Sequence, residues 1–178
     1  MADKGRSGLE LKEALFLGFC GVCILLAKMA FRWKLHIPGH SMFFVIFFLV
    51  LAKGCVRHSF SASFTALLAG LMALLLGMGS GGPAHLLKYL VPGLVLDGFG
   101  WLLPGLSWRY LPCLIAAAAA SFSKFFGNAA VDLLVGMDTA VLLQHALLQT
   151  LGAVLFGIPG GLLAIPVMRR LKAHGIVE

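Results

Sequence analysis

Charge is what this sequence has least of. Only 12% of its 178 residues are Asp, Glu, Lys or Arg, and just seven are acidic. A soluble domain of this length carries about 25% charged residues, so a free-standing soluble protein is excluded. The scarcity of carboxylates also leaves no acidic pair at glycosidase-like or protease-like spacing. No His-Glu-x-x-His run is present, which removes the commonest zinc-hydrolase motif. Gly79-Ser80-Gly81 has the look of a membrane serine-protease motif, but Met78 stands where that pattern needs glycine. The glycine-rich run 77–82 lacks the Lys-Ser/Thr ending of a phosphate-binding loop. Cys20-Gly-Val-Cys23 has redox-motif spacing but falls in the middle of an apolar run, without the strand-turn context that chemistry needs. Catalysis is not expected, and no cofactor is.

Apolar residues fill the space that charge leaves. They make up 60% of the chain, and the mean hydropathy is +0.98. Runs long enough to span a bilayer recur along the whole length. The expected fold is an all-α membrane protein: one integral domain over 1–178, with a short cytoplasmic lead-in at about 1–10. Six spans are read at roughly 11–31, 40–55, 60–77, 83–103, 110–135 and 141–168. Pro159 and Pro166 are expected to kink or end the last of these. The net charge of +7 then reads as a topology signal rather than as nucleic-acid affinity. Lys4, Arg6, Lys12, Lys53, Arg57, Arg109, Arg169, Arg170 and Lys172 collect on one side if both termini are inside. The outer side keeps Arg32 and Lys34, so the expectation is N-in and C-in, in the inner (cytoplasmic) membrane.

The exceptional stretch is 77–97. Its glycine-rich break is followed by Pro83, a residue suited to the first position of a helix. His85, Lys88 and Tyr89 then fall within one turn of an apolar run. Ionisable groups at membrane depth are costly and normally face a cavity or a partner. Other polar residues reach the same outer half. Asn128 and Asp132 are at i,i+4 near the end of the fifth span, with Lys124 a turn deeper. Gln144, His145 and Gln149 open the sixth, and Trp33, His36 and His40 lie in or beside the basic first outer loop. Their convergence from non-adjacent segments predicts a binding vestibule. In it Lys88 meets a carboxylate or phosphate, or else pairs with Asp132. Tyr89 and Trp33 offer stacking surfaces, and the amides and histidines offer directional hydrogen bonds. Asp97, in the cytoplasmic half, is expected to pair with Arg57 or Arg109.

Small residues recur every fourth position: Ala14 and Gly18, then Ala66, Gly70, Ala73 and Gly77, then Gly157 and Gly161. Such stripes let helices approach closely. Two other readings stay open at this stage. The histidines His36, His40, His85 and His145 suit a transition metal or haem, and the small-residue stripes suit an assembly subunit of a larger membrane complex.

With its size, six apolar helices and lack of an ATPase motif, the chain resembles the substrate-binding S component of energy-coupling-factor (ECF) transporters. The more specific parts of the likeness are Leu35-His-Ile-Pro-Gly39, Ala66-Leu-Leu-Ala-Gly70 and the stretch from Pro83 to Asp97, with Lys88-Tyr89-Leu-Val-Pro92-Gly93 inside it. The resemblance implies a subunit that takes a vitamin or vitamin precursor from outside, through its first outer loop and the outer halves of helices four to six. It also implies docking on a membrane coupling protein driven by two cytoplasmic ATPases. The family docks through Ala-x-x-x-Ala on its first helix; here the match is Ala14-x-x-x-Gly18, which departs at the second position.

Overall fold

Each apolar run becomes a helix, because a backbone removed from water has to satisfy its own N–H and C=O groups. The computed structural model describes residues 10–32, 40–56, 58–78, 86–103, 106, 109–134, 136 and 139–173. At 31, 32, 131, 132, 134, 139–142 and 145 the description is of the helix backbone alone. Among the described residues there are six helices: α1 (Leu11–Arg32), α2 (Ser41–Cys55), α3 (Ser61–Leu75), α4 (Leu87–Leu102), α5 (Tyr110–Leu134) and α6 (Thr139–Ala173). Segments Leu11–Ala30, Tyr110–Ala130 and Ala146–Ala173 are long and apolar enough to cross a membrane. Helices α2, α3 and α4 are shorter, at 15, 15 and 16 residues.

Helix α4 is described over Leu87–Leu102; Pro83, where the sequence reading opens it, lies outside the described residues with His85 and most of the glycine-rich run. One boundary differs from the sequence reading. Helix α6 starts at Thr139 and runs through both Pro159 and Pro166 to Ala173, so neither proline ends it. A proline removes one N–H and crowds the preceding turn. Within a packed apolar bundle, neighbouring helices hold such a helix together.

Helix α2 is the centre of the bundle and touches all five other helices. It has no charged residue before Lys53, and nine of its residues are buried. Around it, α3 packs on α4, α4 on α5 and α5 on α6, while α1 lies against α2 and α3. Helices α5 and α6 run in opposite directions: Cys113 and Ala117 meet Gly161, Ser121 meets Gly157, and Asn128 meets Gln149. Helix pairs close where side chains vanish. A Cβ on Gly93 of α4 would fall 2.7 Å from the Cβ of Ala66 and 3.1 Å from the carbonyl of Ala62, so α3 and α4 touch almost backbone to backbone there. The outward faces stay apolar: Leu15, Phe19, Phe122, Phe126, Leu151 and Leu155 are all exposed.

At the end of the bundle where α1 begins and α6 ends, one carboxylate ties three helices together. Asp97 of α4, 4% exposed, accepts from Lys53 Nζ of α2 at 2.8 Å. It also accepts from the backbone N–H groups of Ala62 (3.3 Å) and Ser63 (2.7 Å), in the first turn of α3. Those N–H groups have no intrahelical partner, and a negative charge there opposes the helix dipole favourably. Among the described residues the partner is Lys53 rather than Arg109, because α2 lies alongside α4 at this level; Arg57 lies outside the described residues. Lys53 also donates to the Ser59 carbonyl, so it holds the α2–α3 connection as well.

Candidate binding site

The polar residues of α4, α5 and α6 meet at the other end, away from where α1 begins and α6 ends. Helices α4 and α5 approach closely because residue 127 is glycine: a Cβ there would lie 3.4 Å from Lys88 Cα. Lys88, in the first turn of α4, is thereby set against α5, and its charge and that of Lys124 lie near enough to act on one another. One turn beyond Lys124, Asn128 is 1% exposed and donates through Nδ2 to Gln149 Oε1 of α6 at 3.1 Å. Lys88, Lys124, Asn128 and Gln149 therefore form one group across three helices. Gln149 lies ten residues into α6, about 15 Å along its axis, deeper than the sequence suggested because α6 starts earlier.

Tyr89 does not share a face with Lys88. Consecutive residues project about 100° apart on a helix, and while Lys88 meets α5, Tyr89 turns to α3 and α1. It is 3% exposed and packs beside Gly70 of α3. Its hydroxyl accepts from Lys28 Nζ of α1, whose ammonium also stands 4.5 Å from the ring centroid. That is a cation–π contact inside the bundle, so the ring packs in the core and presents no open stacking face. Gln144 is exposed on α6, about 140° round from Gln149, and does not join the group. His40 stands half-buried at the start of α2. Trp33, His36 and His85 lie outside the described residues, as do the side chains of Asp132 and His145. Among the described residues, no three His, Cys, Asp or Glu side chains converge as a metal site would require.

One member of the group, Lys124, is not among the site residues that the sequence singles out. It lies a turn deeper than Asn128, although a lone lysine four residues before a buried asparagine is itself a signal. Lys28, within the first span, stands apart from the group and holds Tyr89. An apolar groove lined by His58, Phe60, Ser63, Phe64, Leu67 and Leu90 lies along α3 and α4, apart from the polar group.

No family model matches the sequence, and no curated protein does. A solved structure does: a crystal structure of an S component of an ECF transporter superposes with a TM-score of 0.67, over 94% of this chain and 88% of that one. The fold is that of an S component. Sequence identity to that protein is 17%, so the S-component likeness lies in the path of the chain rather than in its side chains. A helical bundle of this fold, with three helices long enough to cross, is a multi-pass membrane protein. The S-component fold accounts for six helices around a short central α2. It leaves the lining of the site to this chain's own residues.

Proposed function

We propose that this protein is the substrate-specific subunit of an ECF-type importer. It binds a small micronutrient, a vitamin or vitamin precursor with an anionic group, from outside the cell. All six helices then span the cytoplasmic membrane with both termini inside, which puts the Lys88–Lys124–Asn128–Gln149 group on the outer side. The observation that carries this reading is the meeting of four polar side chains from three helices inside an S-component fold. Lys88 and Lys124 supply point charges for a carboxylate or phosphate, and the amides of Asn128 and Gln149 supply direction. His36, His40, His85, His145, Asp132 and Trp33 are placed by the sequence near the same end and complete the proposed wall. The subunit itself carries out no catalysis; a membrane coupling protein and two cytoplasmic ATPases would supply the work.

Native mass spectrometry of the gently purified protein tests the binding role. An organic metabolite should stay bound, and Lys88→Ala should reduce its occupancy at least tenfold. A bound metal or haem in place of an organic molecule would overturn the reading.

Docking is the second half of the proposal. Ala14 and Gly18 lie on a face of α1 that carries exposed Leu11, Leu15 and Phe19. A Cβ on Gly18 would meet nothing within 4 Å, so the space beside it is open to another helix. Gly18→Leu should leave the thermal midpoint of the isolated subunit within about 2 °C while abolishing co-purification with the coupling protein. Retained co-purification would move the docking face elsewhere.

A further inference from the structure

Lys124 and Asn128 stand one turn apart on α5, on the same face, with side-chain origins about 6 Å apart. Among the described residues Lys124 makes no hydrogen bond or ion pair, and the charge it senses is the like charge of Lys88. It lies ten residues from the end of α5, about 15 Å along the axis and well inside an apolar segment. A cation at such depth is normally matched by an anion or opens onto a wet cavity. The sequence offers few anions for the task. Of seven acidic residues, Asp3, Glu10, Glu13 and Glu178 are near the chain ends, and Asp97 is engaged with Lys53 at the opposite end of the bundle. That leaves Asp132 and Asp138 against Lys28, Lys88 and Lys124, with Arg32 and Lys34 beyond them. Positive charge remains in excess there, however Asp132 is used.

Asn128 adds a second requirement. Its Nδ2 is spent on Gln149, but its Oδ1 is buried and accepts no hydrogen bond. Two other buried side-chain atoms share that condition among the described residues, Ser61 Oγ and Ser63 Oγ. Both are rotatable hydroxyls beside Asp97, at the far end of the bundle. An amide oxygen cannot turn away from its own nitrogen, and a buried acceptor without a donor is costly. Asn128 is therefore set to take a hydrogen bond from something outside the protein.

We infer that Lys124 and Asn128 are the specificity pair of this site, and that they select a small organic anion carrying an N–H or O–H donor about one helical turn from its charge. The inference rests on the proposed substrate-binding role and gives it a substrate class. The anionic oxygen sits at Lys124 and draws Lys88 in with it, which relieves the repulsion between the two ammonium groups. The donor end of the same molecule reaches Asn128 Oδ1. Neutral molecules leave Lys124 uncompensated, and anions without a donor leave the amide unpaired.

Three probes separate these demands in thermal unfolding of the full chain in detergent. 4-Aminobenzoate has both a carboxylate and an N–H donor, benzoate has only the carboxylate, and 4-aminobenzamide has the donor without the charge. The midpoint should rise most with 4-aminobenzoate, less with benzoate and not at all with 4-aminobenzamide. Lys124→Met should weaken binding of both acids at least tenfold while leaving the empty protein as stable as the parent or more so. Asn128→Leu should bring 4-aminobenzoate down to the level of benzoate. An equal response to the neutral amide, no response to any probe, unchanged acid binding in Lys124→Met, or a loss of stability in that variant without ligand would each overturn the pair. Co-purification with a coupling protein, measured on the same preparation, keeps the two levels apart. Its presence with failed probes removes only the specificity pair; its absence together with failed probes removes the transporter reading as well.

Discussion

Asp97→Ala should cost this protein about 3–5 kcal/mol, the usual penalty for leaving one member of a buried ion pair behind. Against a total stability of about 5–15 kcal/mol, that is enough to lose most of the folded protein on mild heating. The loss has two parts. Lys53, whose side chain is only 12% exposed, keeps its charge without a counter-ion. The N–H groups of Ala62 and Ser63 lose their acceptor at the start of α3. Equilibrium unfolding in mixed micelles measures the sum, and a second substitution separates the parts. Adding Lys53→Met removes the stranded charge, so the double variant should recover part of the loss. It should not recover all of it, because α3 still lacks its acceptor. A double variant as unstable as Asp97→Ala would show that the α3 contacts dominate and that the ion pair contributes little.

Gly160→Ala should be nearly as damaging, although it adds one methyl group. The added Cβ would press on the carbonyl oxygen of Phe43 and come within 3.1 and 3.2 Å of its carbonyl carbon and Cα. All three are backbone atoms of α2 and cannot turn aside as a side chain would. The two helices must separate along the contact that also holds Gly157 and Gly161, for a cost of at least about 1–3 kcal/mol. Gly98→Ala is the matched control. Gly98 is within α4, and its Cβ would meet nothing within 4 Å, so the change should gain about 0.5–1 kcal/mol from helix propensity. Opposite signs from the same substitution would establish that packing, rather than backbone freedom, fixes Gly160. A neutral Gly160→Ala would mean that α2 and α6 are not held this closely.

The helices were largely legible because apolar run length and charge placement are one-dimensional properties. Helices α1, α2, α3 and α5 start and stop within two residues of where hydropathy puts them. The sixth span reads five residues short at its C-terminal end, because prolines weigh against a helix in isolation and a packed neighbour overrides that local rule. At the site, chain position carries depth but not azimuth. It brought Lys88, Asn128 and Gln149 to similar levels, but only the packing of α4 between α3 and α5 sends Lys88 one way and Tyr89 the other. The same blindness bears on Asp97. Arg109 is a sensible partner by depth, but Lys53 is the cation on the helix alongside. Lys124 shares a face with Asn128 by its four-residue spacing, a relation that is legible in the sequence.

Helix α4 also has a stiffness gradient. Its lower part is riveted by Asp97 to two neighbours at once. Five residues earlier, Pro92 has no N–H to give to the carbonyl of Lys88, so a rung of the helix ladder is missing directly beneath the turn that bears the lysine. Bending compliance is therefore concentrated in the single turn between them. Any tilt of the upper tip of α4 relative to α5 would be taken up in that turn rather than at the base. One proline and one aspartate, five residues apart, thus divide the helix into a held base and a softer tip.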